Sequence, residues 1–312
     1  LTVAPAFNWS TATSLTTVSQ MFINCRSLVA VPAYTLPSGV TTVTSMFESC
    51  YALTDVVLSA SGATACSRVF YQCTALVDAS CVALWAATNI QNMFSYSSQL
   101  AILPTRSGVT NFDAATTVTT AFSGTDITEA SISLLGATGS VASLLASCSA
   151  LTKATLTLGA SGSGSMASTF NGCASLVSVT VTSSGWVPTS LSGAFSSNPR
   201  LVTVTFGPSV ASVTTFADCF NGCYNLRDIP AFTTTAATAT NAMFRDCYRL
   251  IDAPMLDLVG VTDVTSMFNG CTNLRTLPAY DMSTVTTTTS WLSSCQSLVR
   301  SEVTGMAATH SY

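Results

Sequence analysis

Sulfur is the first place to look for chemistry in this chain: 12 of its 312 residues are cysteine, against a single lysine and a single histidine. A thiolate can act as a nucleophile or a metal ligand, and two thiols can close a disulfide. A zinc site needs paired C-x-x-C-type elements. The one near match, Cys219-Phe-Asn-Gly-Cys223, has no second half. His310 stands among the last three residues and reads as a solvated tail; no Ser-His-Asp set can be assembled around it. The run Gly159 to Gly164 (GASGSG) lacks the G-K-[ST] of a phosphate loop and reads as a loose turn. Asn8-Trp9-Ser10 is a lone N-glycosylation-type sequon. The expectation is a protein with no catalytic residues, no cofactor and no metal.

The cysteines have an order that catalysis does not require. Val18 to Tyr34 reads VSQMFINCRSLVAVPAY, and Val264 to Tyr280 reads VTSMFNGCTNLRTLPAY. Taking the aromatic of F-x-x-C-x-x-L as an anchor gives Phe22, Phe47, Phe70, Phe94, Phe122, Leu145, Phe170, Phe195, Phe220, Phe244, Phe268 and Leu292, spaced 23 to 28 residues apart. Nine cysteines stand three residues after an anchor: Cys25, Cys50, Cys73, Cys148, Cys173, Cys223, Cys247, Cys271 and Cys295. Ser97, Thr125 and Asn198 fill the same position elsewhere. These substitutions point to a small buried side chain that hydrogen-bonds the backbone, so a reduced packing ladder is expected. Pairing nine equivalent sulfurs would leave one over and demand alternating geometry from equivalent sites. Cys66 and Cys219 stand off the ladder and Cys81 falls on an inward strand position; all three read as packing residues.

A repeat of this length cannot bury its apolar side alone and must stack on its neighbours. Each unit ends in L-x-x-h-x-h (h apolar), as in Leu176-Val179-Val181, which is the alternation of a short strand with one face inward. Ahead of it, V-x-x-M-F-x-x-C-x-x-L spaces apolar residues as one stripe of a helix. Serine and threonine are mediocre helix formers, so short α or 3-10 segments are expected. The reading is an α/β repeat solenoid, a single domain over residues 1–312 with about 12 coils and short parallel strands. Neither end carries an evident polar capping repeat. The middle, where cysteine gives way to Ser97, Thr125 and Asn198, is expected to bend or be irregular.

Composition narrows the partners. Charged residues are 8% of the chain, the net charge is −4, and hydrophobic residues are 48%. So few cations exclude the phosphate contacts of nucleic-acid binding and a polybasic membrane surface. No apolar run approaches the roughly 18 residues of a membrane span. A near-neutral surface rich in serine and threonine favours an outside environment.

The frame M-F-x-x-C-x-x-L-x-x-L-P resembles the BspA-like, or Treponema-type, leucine-rich repeats of bacterial surface proteins, in particular a V-T-x-M-x-x-M-F variant also found in phage-encoded proteins. The resemblance implies a right-handed leucine-rich-repeat coil on a cell or virion surface, acting in adhesion or recognition without catalysis.

On the strand side, residues two, four and six after the repeat leucine are expected to point outward. This selects Asp55, Asp78, Asp228 and Asp252, with Tyr34, Phe232 and Tyr280, as a binding face on the concave side, and a field of threonines between them. The expected partner is a protein or glycan. The alternative is a structural block of a virion appendage or extracellular filament, abutted at its ends by a flanking domain or further copies.

Overall fold

The computed structural model describes residues 1–9, 11–105, 110–227, 229 and 232–299; Asp228, His310 and Ser10 of the sequon lie outside them. Every pairing in it is parallel, as a chain that returns to the same point once per repeat requires. Strands β1 (Tyr34–Thr35), β2 (Leu58–Ser59) and β3 (Val82–Ala83) form one sheet. A larger one holds β4 (Thr110–Asn111), β5 (Glu129–Leu134), β6 (Lys153–Leu158), β8 (Ser178–Ser183) and β10 (Thr203–Phe206), in the order β10-β8-β6-β5-β4. Between its coils β7 (Ser163–Ser165) pairs with β9 (Val187–Ser190). Single parallel bridges continue these lines, among them Thr17 to Thr42, Ala65, Asn89 and Thr117 in succession. Across β5, β6 and β8 the middle is regular and carries the longest strands, because Ser178–Ser183 and its neighbours alternate strictly and contain no proline; the β7–β9 pairing does carry a register shift, between Gly164 and Ser165.

No helix occupies the V-x-x-M-F-x-x-C segment. Val43, Met46, Phe47, Cys50 and Leu53 are all fully buried, so the apolar stripe is real, but the backbone is a chain of β-turns. The hydrogen bonds show why. Met21 N–H closes a turn on Val18 O at 3.3 Å, Ile23 N–H on Gln20 O at 3.1 Å, and Cys25 N–H on Phe22 O at 3.1 Å. The intervening N–H groups leave the coil: Gln20 donates to Thr44 O, Phe22 to Met46 O and Asn24 to Glu48 O, at 2.8 to 3.0 Å. A group committed to the next coil cannot make the i→i−4 bond of a helix. The residues two before and two after each anchor take positive φ, as at Gln20 and Asn24 (both 59°) or Asp218 and Gly222 (55° and 75°). For a non-glycine residue this costs about 1–2 kcal/mol, offset here by donors that find partners along the whole stack. Serine, asparagine, aspartate and glycine fill most of these positions.

The anchors stack ring on ring through the centre. Phe22, Phe47, Phe70 and Phe94 lie 5.3 to 5.5 Å apart and within 9° of parallel. Phe170, Phe195, Phe220, Phe244 and Phe268 repeat the column at 5.2 to 5.6 Å. Each buried ring contributes about 1.5–3 kcal/mol of transfer free energy, which no single coil could gain by itself.

The glycine run after β6 is not a loose turn. A Cβ at Gly159 would collide with the carbonyl of Leu135, and one at Gly164 with Gly139. The missing side chains let the coils close around Trp186, which is fully buried and donates its Nε1–H to Gly139 O at 3.2 Å.

Candidate recognition surfaces

The sulfur ladder resolves into one repeated hydrogen bond. Cys50 Sγ meets Phe22 O at 3.1 Å, Cys73 Sγ meets Phe47 O at 3.1 Å, and Cys271 Sγ meets Phe244 O at 3.1 Å. Each thiol thus donates to the anchor carbonyl one coil earlier, which already accepts the N–H three residues on. Two of the replacements do the same work: Ser97 Oγ reaches Phe70 O at 2.7 Å, and Asn198 Nδ2 reaches Phe170 O at 2.9 Å; Thr125 instead donates its hydroxyl to Phe122 O of its own coil at 2.9 Å. All 12 cysteines are free. Burial pushes the Cys50 and Cys223 thiols up to about 12, so they are neither nucleophilic nor ligating near neutral pH. Cys66 and Cys219 are buried, whereas Cys81 is exposed rather than inward. Among the described residues no group of three or more histidine, cysteine, aspartate or glutamate side chains could hold a metal ion.

The aromatic residues chosen from the sequence do not form a surface. Tyr34, Phe232 and Tyr280 are 1%, 7% and 6% exposed. Tyr34 stacks on Phe22 and donates its hydroxyl to Pro5 O at 2.7 Å; Tyr280 stacks on Phe268 and donates to Pro254 O at 2.7 Å. The reason is a change of phase. In regular coils the residues three, five and seven after the leucine turn inward, as do Ala154, Leu156 and Leu158. In the coils that carry these aromatics one more residue intervenes, so Leu277, Tyr280 and Met282 turn inward at three, six and eight. One extra residue sends the rest of the strand to the opposite face.

The acidic positions fare differently. Asp55 and Asp252 are exposed and Asp78 is half-buried, all on the strand side. Asp78 accepts the Ser80 N–H at 2.6 Å, and Asp252 accepts the Thr276 hydroxyl. Asp55 and Asp78 stand near the early coils and Asp252 near the late ones, so they do not converge.

Between them the large sheet presents an ordered field of hydroxyls. In register across β5, β6, β8 and β10 run Ser131, Thr155, Thr180 and Thr205, with Ser133, Thr157 and Thr182 alongside. At the edge of this field a cleft of about 440 Å³ is lined by residues of 101–105, β4, β5 and β6. Its lining includes Ile102, Thr105, Thr110, Glu129, Ser131, Lys153 and Thr155. Glu129 and Lys153, the only lysine, are cross-strand neighbours there. Sequence reasoning missed this cleft because its lining comes from neighbouring coils that no local pattern brings together.

Parallel strands joined by repeated turns about a leucine, phenylalanine and cysteine core define a leucine-rich-repeat solenoid. The chain belongs to the BspA type leucine rich repeat region family, whose model matches residues 8–128 and 141–275 in 6 copies. No curated protein matches the chain. In fold it is similar to a leucine-rich repeat protein of Bacteroides ovatus, with 19% identity, a TM-score of 0.50, and coverage of 91% of this chain and 69% of that one. A leucine rich cell surface protein of Faecalibacterium prausnitzii shows 22% identity and a TM-score of 0.46 over 84% of this chain and 75% of that one.

Proposed function

We propose that the protein is a recognition module that binds a glycan or protein surface across the outer face of its large parallel sheet, on the exterior of a cell. The observation that carries this reading is the hydroxyl field running into the 440 Å³ cleft beside Glu129 and Lys153. Hydroxyls in fixed register offer donors and acceptors at strand spacing, about 4.8 Å, and a pre-formed surface binds with a smaller ordering cost. Polyhydroxylated ligands match such a face best, with the carboxylate and ammonium as its two charged contacts. A membership in a repeat family of surface proteins and a neutral, threonine-rich exterior support the same reading.

The experiment is a screen on an array of neutral glycans, followed by Thr155→Trp and Ser131→Trp, which fill the cleft from adjacent strands. Loss of the captured glycan in both variants, with unchanged thermal unfolding, is the expected result. If Tyr71→Ala, among the chained turns rather than on the sheet, abolishes capture while the tryptophan variants retain it, the sheet is not the binding face.

A further inference from the structure

The basic residues are few, yet three of them gather on one groove. Arg227, Arg249 and Arg275 line a cavity of about 250 Å³ with Ile251 and Asn273. The repeat explains the meeting. Arg227, Ile251 and Arg275 each follow a repeat leucine directly, while Arg249 and Asn273 each precede one, so successive coils place them side by side. Where other coils put Val29, Val77 or Val177 in the same row, exposed and apolar, these coils put guanidinium groups.

Among the described residues none of the three guanidiniums has an ion-pair partner. Among the described residues the ion pairs are Glu48 with Arg68 and Asp246 with Arg245, and no side-chain hydrogen bond engages Arg227, Arg249 or Arg275. The Asp252 carboxylate accepts the Thr276 hydroxyl and makes no ion pair among the described residues. In a chain of net charge −4, three cations around one groove set up a local positive field that attracts anions. Guanidinium forks match the oxygens of carboxylate and sulfate groups in a bidentate manner.

The groove is smaller than the 300–1,000 Å³ of sites that enclose a whole small molecule, so it suits a substituent of something larger. Its surroundings indicate what. Asn273 Nδ2 donates to Tyr248 O at 2.7 Å, which ties the groove to the exposed Tyr224–Tyr248 pair, whose rings stack 4.7 Å apart. Ile251, 47% exposed, separates Arg227 from Arg275. Exposed apolar faces alternating with cations along the stack fit a chain that alternates apolar ring faces with oxyanions. We propose that this groove is a binding site for the oxyanion substituents of an acidic polysaccharide, separate from the sheet face.

The test compares dextran sulfate, carboxymethyl dextran and unmodified dextran at equal chain length, by isothermal calorimetry at about 50 mM salt. Wild-type protein should bind at least one charged polymer tenfold or more tightly than dextran. Arg249→Glu and the double variant Arg227→Ala/Arg275→Ala should each lose tenfold or more, with unfolding temperature unchanged. Arg26→Ala, a cation over the Tyr51 ring at the early end, should stay within twofold of wild type. Equal loss in Arg26→Ala, or no loss in the groove variants, overturns the site. Competition by inorganic sulfate at the same concentration of sulfate groups overturns the polymer assignment. Thr155→Trp, which tests the sheet, should leave the ratio of charged-polymer to dextran affinity unchanged, so the two readings fail separately.

Discussion

The thiol of Cys247 donates to the main-chain carbonyl of Phe220, 3.3 Å away and one coil earlier. Both residues are completely buried. Replacement by serine keeps a donor, and Ser97 shows that the shorter side chain reaches the equivalent carbonyl. Replacement by alanine removes the donor and leaves a small void. We expect Cys247→Ser to cost about 1 kcal/mol and Cys247→Ala about 1–3 kcal/mol, with the order checked by the denaturant midpoint at constant slope.

Ala242 holds a φ of 51° with no side-chain hydrogen bond to stabilise it. Glycine adopts that conformation without the Cβ penalty. Ala242→Gly should therefore leave stability unchanged or raise it by up to about 1 kcal/mol. At Gly222, φ 75°, a valine should destabilise by more than 1 kcal/mol, since β-branched residues tolerate that region least. A lower unfolding temperature for Ala242→Gly would show that these turns are not under backbone strain.

Tyr280 contributes to folding rather than to contact with a partner. Its ring is buried on Phe268 and its hydroxyl is spent on Pro254 O. Tyr280→Phe should cost about 1 kcal/mol for the lost hydrogen bond, and Tyr280→Ala about 3–5 kcal/mol for the cavity as well. Thermal unfolding of the two variants separates this role from a surface one, for which neither change would move the transition.

Stability should decline in alkali before any arginine or backbone effect intervenes. Burial raises the thiols of Cys50, Cys66 and Cys223 to about 12 from an ordinary value near 9. In the unfolded chain these thiols ionise first, so above pH 9 the unfolded state binds fewer protons than the folded one. Their contribution is complete below pH 9 and is lost progressively between pH 9 and 12. Unfolding midpoints measured from pH 7 to 11 should be flat at first and then fall. In the same samples, thiol reagents at pH 8 should label exposed Cys81 rapidly and Cys73 or Cys247 only on denaturation.

The repeat itself made the core legible. Once Phe22 to Leu292 are aligned, the stacked anchors, the ladder and the parallel strands follow from the need of each coil to be covered by the next. What the sequence hid was anything decided between coils. The spacing of Val43, Met46, Phe47, Cys50 and Leu53 is shared by a helix and by chained turns that return to one face every three or four residues. Only the donation of alternate N–H groups to the neighbouring coil separates them. Tyr280 was assigned outward because the register was carried over from coils like Leu151 to Leu158, and one added residue reversed it. Trp186 gave no signal, since the space it fills is made by glycines in other coils. The arginine groove was hidden for a related cause: Arg227 and Arg275 are 48 positions apart in sequence and become neighbours only through the stack.

The chained turns also give the molecule a polarity. Along that column the alternate N–H groups that leave a coil point at carbonyls of the coil that follows, from Phe22 to Met46 and from Phe244 to Met267. The peptide dipoles therefore add along the long axis instead of cancelling as they do between the strands of a sheet. Their positive end faces the late coils, the reverse of the sense in an α-helix. Any surface that covers the column on its late side must supply carbonyls or anions, and any that covers its early side must supply donors. Two such columns can extend one another head to tail, but not head to head.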